Sequence, residues 1–163
     1  MLTRVVGIDP GYDRLGIAVV ERKDGKDIIL ESCCITTSKN DEPHIRLKTI
    51  ADAFKHILET HSPEVTGIES LFFNTNQRTA IRVAEARGVL LLEAARFSIP
   101  VFEYTPGQIK LAITGHGQSD KGQVMNMVNR LVAISKPITY DDEYDAIAVA
   151  LTCLAYESRS FTA

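Results

Sequence analysis

The chain has 163 residues, 45% of them hydrophobic, which suffices for one packed core and leaves no room for a second, so residues 1–163 read as a single domain. A formal net charge of −3 excludes a uniformly basic nucleic-acid coat, and three cysteines exclude a disulfide framework. No apolar run approaches the roughly 18 residues of a membrane span, and the first residues lead into a strand rather than a signal-peptide core, so a cytoplasmic protein without membrane association is expected.

The first third reads as strands. Arg4–Asp9 is a short apolar run stopped by Pro10-Gly11, Leu15–Glu21 is a second run rich in Ile and Val, and Asp24-Gly25 turns the chain into Asp27–Thr37. These three pair as an antiparallel meander. From Ile45 the spacing becomes helical, with Leu47, Ile50, Phe54, Ile57 and Leu58 on one face, and Ser62-Pro63 ends the helix. Val65–Glu69 is a short strand, Thr75–Phe97 a long helix and Pro100–Tyr104 a further strand. Thr105-Pro106 opens the next helix with Thr as cap and Pro at the first helical position. After a break at Gly115–Gln118, Ser119 or Asp120 caps a helix through Ile134, and Asp141 or Asp142 caps a last helix through Ala155. Strands followed by strand–helix alternation predict an α/β fold, a mixed sheet with helices on its faces.

Charge is unevenly distributed. Residues 70–136 carry eight Lys or Arg against four acids, so the remainder holds the acidic excess. Four acids stand out in three places: Asp9 in Gly7-Ile8-Asp9-Pro10-Gly11, Glu69 in Gly67-Ile68-Glu69, and Asp142 with Asp145. Each ends an apolar run or starts an apolar helix. Converging carboxylates repel one another unless a cation lies between them, and a hard divalent ion with oxygen ligands is the simplest such cation. Three of them also have a plainer reading: Asp9 as turn chemistry, Glu69 paired to an arginine of the next helix, Asp142 as a helix cap. Asp142 and Asp145, three apart, share one helix face.

Other chemistries lack residues. His44, His56, His61 and His116 show no zinc-ligand spacing, and no phosphate loop, dinucleotide fingerprint or Gly-x-Ser-x-Gly elbow is present. Cys33, Cys34 and Cys153 read as buried small apolar residues.

Five motifs, in order along nearly the whole chain, carry a family resemblance: Gly7-Ile8-Asp9-Pro10-Gly11, Ile68-Glu69-Ser70-Leu71-Phe72, Ala84-Glu85-Ala86-Arg87-Gly88, Val101-Phe102-Glu103-Tyr104, and Asp142-Glu143-Tyr144-Asp145 followed by Ala146-Ile147-Ala148-Val149-Ala150. The chain resembles the RuvC-type Holliday junction resolvases. The resemblance implies a ribonuclease H-like fold with a mixed five-stranded sheet and helices on both faces, and a homodimer. It also implies symmetric nicking of four-way DNA junctions in recombination and repair, leaving 5′-phosphate and 3′-hydroxyl ends. It further implies two Mg²⁺ ions per active site, with Mn²⁺ as a substitute, and possible work beside a RuvA- and RuvB-type branch-migration complex. Asp9, Glu69, Asp142 and Asp145 fall on the family's four catalytic acids and are assigned as the metal ligands, Asp9 as the bridging one. Lys110 and Lys121 fall on basic residues near the scissile and flanking phosphates, Lys121 being assigned to stabilise the pentavalent phosphate, and Phe72 falls on an aromatic that stacks on a base. Arg78 and His116, the latter in the Gly115–Gln118 loop, are further DNA-contact candidates. Three positions depart from the family pattern: Glu85, Glu143-Tyr144 and Cys153.

Two metal ions at about 3.5–4 Å can activate water and stabilise the leaving oxygen of an in-line displacement, which this residue set suits. A C₂ dimer would bring two such sites to two symmetry-related strands. The long helix is the expected dimer element, because Ala80, Ala84 and Ala86 would admit a close partner and Ile81, Val83, Leu90, Leu91 and Leu92 spread around it. Rival readings are an actin-like sugar kinase or ATPase, which needs two lobes, an RNA-processing nuclease of the same fold, and a non-catalytic junction-binding module.

Overall fold

The computed structural model describes residues 3–70 and 77–157, with side chains from residue 80 onward in the helix that begins at Gln77. Three strands come first: β1 (Arg4–Asp9), β2 (Arg14–Lys23) and β3 (Lys26–Thr36). They form the expected antiparallel meander, with Asp9 opposite Gly16 and Gly16 opposite Cys34. The β2–β3 hairpin is tight because Asp24 and Gly25 both take positive φ, 51° and 75°, the conformation a two-residue turn between right-twisted strands requires.

Alternation follows: α1 (Pro43–His61), β4 (Val65–Glu69), α2 (Gln77–Arg96), β5 (Val101–Tyr104), α3 (Pro106–Thr114), α4 (Lys121–Leu131) and α5 (Asp141–Glu157). The five strands order as β3-β2-β1-β4-β5, with β4 parallel to both β1 and β5. This mixed sheet has helices on both faces. The period-2 alternation of side chains sends Val6, Ile8, Ile17 and Val19 to α1 and α2, where they meet Ile50, Phe54 and Leu90. Val5, Ala18 and Val20 point the other way, onto Val124, Val128, Ile147 and Leu151.

Helix α5 lies unusually close to the sheet. A Cβ on Gly7 would stand 2.3 Å from the Ala150 nitrogen and 2.4 Å from the Ala146 carbonyl oxygen, so only glycine fits there. The consequence is that β1 and the apolar turns of α5 meet backbone to backbone. Residues Ala146 to Leu154 are all buried. No helix among the described residues is long and apolar enough to cross a membrane.

Several expectations need correction. Helix α4 ends at Leu131 rather than Ile134, because Val132 is already extended, with φ −135° and ψ 148°. Asp141 and Asp142 lie inside the first turn of α5 rather than capping it. Cys33 and Cys34 are only half-buried on β3, while Cys153 is fully buried. Ala86 is wholly buried against the sheet and cannot meet a partner helix, whereas Ala84 is exposed. The expected start of α2 at Thr75 lies outside the described residues.

Candidate active site

Strand pairing sets two of the four acids side by side. β1 and β4 are parallel and in register at Ile8 and Ile68, so Asp9 and Glu69 occupy adjacent strand ends on the carboxyl edge of the sheet, where α/β folds keep their ligand crevices. Asp9 is therefore a paired strand residue opposite Gly16 rather than a turn residue. Asp142 and Asp145 come to this edge from the first turns of α5. Among the described residues Glu69 has no arginine partner, and Arg87 of α2 pairs with Glu103 instead.

The cluster is electrostatically costly. Asp9 is pushed up to about 8, first by burial and then by Glu69, Asp145 and Asp142, with Lys121 opposing. Glu69 is raised by burial and by Asp145, and a hydrogen bond with Asp9 works against that rise. Asp142 is raised by burial, partly offset by Arg14. Burial and mutual repulsion thus favour the protonated form of Asp9, as expected where carboxylates crowd together.

Two side-chain cations answer part of the charge. Lys121, the first residue of α4, donates to Asp145 Oδ2 at 2.8 Å and lies 2.7 Å from Asp141 Oδ2. Burial works against its charge, but these two bonds hold its pKa above the usual lysine range and draw that of Asp141 down. Arg14 Nε lies 3.1 Å from Asp142 Oδ2 and its guanidinium sits 5.2 Å from the Tyr140 ring. The Arg14 N–H is not aligned on that oxygen, so Asp142 Oδ2 remains buried without a hydrogen bond. Sequence reasoning missed Arg14 and the sharing of Lys121 by Asp141. Nothing in the spacing of β2 marks Arg14, whereas Asp141 reads as a helix-start acid like its neighbours.

The donor set fits a hard divalent cation: carboxylate oxygens only, an Asp9 whose charged form a bound cation would favour, and a buried Asp142 oxygen that accepts no hydrogen bond. Among the described residues, no three His, Cys, Asp or Glu side chains already converge as a ligand set.

The other candidates divide. Lys110 and Lys121 line a cleft of about 220 Å³ with Glu69 and Asp145, so both lysines stand at the acid cluster. His116 does not line that cleft. It lies with Gln118, Gln123 and Arg130 along a neighbouring hollow of about 600 Å³, its Nδ1 accepting from the Gln118 N–H at 3.2 Å. Phe72 and the side chain of Arg78 lie outside the described residues. A separate groove of about 840 Å³ is lined by Asp142 together with Tyr12, Arg14, Lys39, Arg46 and Arg82. Arg46 is committed to structure there, stacked 4.0 Å from the Tyr12 ring centre and paired with Asp13, while Lys39 is exposed.

The family model described as crossover junction endodeoxyribonuclease RuvC matches residues 5–153. A crossover junction endodeoxyribonuclease RuvC of Thermosipho melanesiensis is 46% identical over 156 residues, covering 96% of this chain and 99% of that protein. Its counterpart in Petrotoga mobilis is 43% identical over 157 residues, covering 96% of each. Among solved structures, Thermus thermophilus RuvC in complex with a Holliday junction substrate superposes with a TM-score of 0.89 at 32% identity, covering 98% of this chain and 97% of that one.

Proposed function

Because the chain belongs to the RuvC family of crossover junction endodeoxyribonucleases, we propose that its acid cluster is the metal-dependent centre at which it nicks four-way DNA junctions. One observation carries this reading. Asp9, Glu69, Asp142 and Asp145 gather at the sheet edge, where burial and mutual repulsion push Asp9 up to about 8, an arrangement that a bound cation would relieve.

Asp9, Glu69, Asp142 and Asp145 would hold the ions, which we take to be two Mg²⁺. When bound, they supply an activated water and charge neutralisation at the leaving 3′ oxygen. Asp9, which feels Glu69 and both α5 aspartates, would be the ligand shared by the ions, and their charge would favour its ionised form. Lys121 stays fully protonated beside Asp145, so it is an electrostatic donor to the phosphoryl oxygens rather than a base. Lys110, across the same cleft, holds an adjacent phosphate. Water adds to phosphorus and the bond to the 3′ oxygen breaks, leaving a 5′-phosphate and a 3′-hydroxyl. Phe72, Arg78 and His116 are assigned to DNA contacts away from the cleavage point.

Paired cuts call for two such sites. Helix α2 supplies the surface for a homodimer: Ile81 and Leu92 are 60% and 51% exposed, and the exposed Ala84 and Gly88 lie between them at helical spacing. A stripe of large apolar residues flanking small ones admits a second copy of the same helix closely.

The test compares labelled four-way, linear duplex and single-stranded DNA, and an RNA duplex, each incubated with the protein and Mg²⁺. Paired nicks confined to the four-way DNA support the reading, and Asp9→Asn binds the junction without cutting. Comparable cleavage of linear duplex or RNA overturns it.

A further inference from the structure

Glu143 stands between Asp142 and Asp145, and its environment is unlike theirs. It is 5% exposed and faces away from the cleft, toward β3. Its Oε1 accepts from Ser32 Oγ at 2.6 Å, and Lys136 Nζ lies 2.9 Å from the same oxygen. Lys136 Nζ also donates to the Ser32 carbonyl at 2.6 Å, so strand, loop and helix close into one ring of three residues. Ser32 is paired with Ala18 of β2, two positions along from the pairing of Cys34 with Gly16. The anchor therefore lies on the row of the sheet next to the Gly16 contact with Asp142.

A charged anchor here is not the cheapest way to hold a helix. Burying an ion pair costs desolvation, and apolar residues of similar volume often stabilise as well or better. What the network adds is direction, because a hydrogen-bonded carboxylate fixes both the rotation of the helix about its axis and its height above the strand. Apolar contacts alone tolerate sliding. Mg²⁺ demands near-ideal ligand geometry at about 2.0–2.1 Å, and a small rotation of this turn would displace Asp142 and Asp145 together.

We propose that Glu143 is a positioning residue, clamping the first turn of α5 to β3 through Ser32 and Lys136 so that Asp142 and Asp145 present their carboxylates at the ion site. This rests on the assignment of those two aspartates as ligands. Glu143 itself touches neither ion nor DNA.

The test uses the full-length protein with Glu143→Met, which keeps the volume and removes the network, and Glu143→Gln, which keeps one hydrogen bond. Four readouts are taken: melting temperature in chelator, junction binding in chelator, Mn²⁺ affinity from the paramagnetic signal of the free ion, and the Mg²⁺ concentration giving half-maximal nicking. Glu143→Met should stay folded and bind junction like wild type, while Mn²⁺ affinity falls and the Mg²⁺ requirement rises by about 10-fold or more, with Glu143→Gln in between. Should Glu143→Met fail to fold, Ser32→Ala decides, since it deletes one bond to Glu143 and keeps the strand; it should shift both metal readouts the same way. Wild-type metal dependence in the folded variants overturns the proposal. Asp142→Asn separates the premise: if it still cuts at the wild-type rate the site assignment fails, whereas failure confined to the Glu143 and Ser32 variants leaves that assignment standing.

Discussion

Gly16 and Asp142 touch through their backbones: a Cβ at residue 16 would lie 2.0 Å from the Asp142 carbonyl oxygen. Because Gly16 is also the ladder partner of Asp9, this contact ties the acid on α5 to the acid on β1. Gly16→Ala must therefore lift the first turn of α5 from the sheet. Overpacking of this kind costs about 1–3 kcal/mol, and the same displacement separates Asp142 from Asp9. Melting experiments should show that loss, and nicking should fall much further than junction binding. Wild-type nicking by the variant would mean that the spacing of the acids is not set here.

The raised pKa of Asp9 gives the metal-free protein a distinctive dependence on pH. The folded value is about 8 against 3.8 for the free side chain, so the folded state keeps a proton that the unfolded state has lost. That contribution is fully present below about 4 and is lost as pH climbs through about 8. In chelator, the melting temperature should fall across this window, and Asp9→Asn should flatten the fall and raise the melting temperature at pH 8 by several degrees. Divalent ion binding below pH 8 should release a proton, visible by calorimetry in buffers of different ionisation enthalpy. A melting temperature that rises with pH over this range would contradict the protonated state of the cluster.

The groove lined by Asp142, Arg14 and Lys39 predicts a phosphate contact. Lys39 is exposed there and has no structural task comparable to that of Arg46. Lys39→Ala should weaken junction binding and reduce the slope of log affinity against log salt by about 0.7–0.9, the signature of one lost phosphate. Stability should stay within about 0.5 kcal/mol of wild type. An unchanged salt slope would place the DNA elsewhere.

The exposed apolar stripe on α2 predicts dimerisation through that helix. Leu92→Glu should give a folded monomer by light scattering, since the side chain is 51% exposed and its loss removes nothing from the core. The monomer should bind a junction but nick one strand at a time. Paired cuts by a strictly monomeric protein would refute the two-site account.

Much of the fold was legible in the chain because periodicity reports burial directly. The Ile and Val alternation of β1 and β2, the Asp24-Gly25 turn and the Thr105-Pro106 cap each mark an element whose local chemistry agrees with its place in the fold. Helix ends were less legible. Asp120 forms a full capping box with Gln123, a local signal, but the end of α4 after Leu131 has no comparable residue and is set by where Val132 packs. On α2 the pattern has apolar residues all round and does not say which face meets the sheet, so the burial of Ala86 is decided only by the packing of the helix.

The sequence by itself determined the composition of the site: which acids end apolar runs, that two of them share a helix face, and that no histidine or cysteine set competes with them. Only the tertiary structure decided what those acids meet. Asp9 and Glu69 lie 60 positions apart in the chain and become neighbours through the parallel pairing of β1 with β4. Arg14 and Lys121 reach the same edge from β2 and from α4, and Glu143 turns the other way to Ser32 and Lys136. Residue type and local spacing are written along the chain, but the electrostatic environment of a side chain is a sum over neighbours in space, and strand order and helix rotation choose those neighbours.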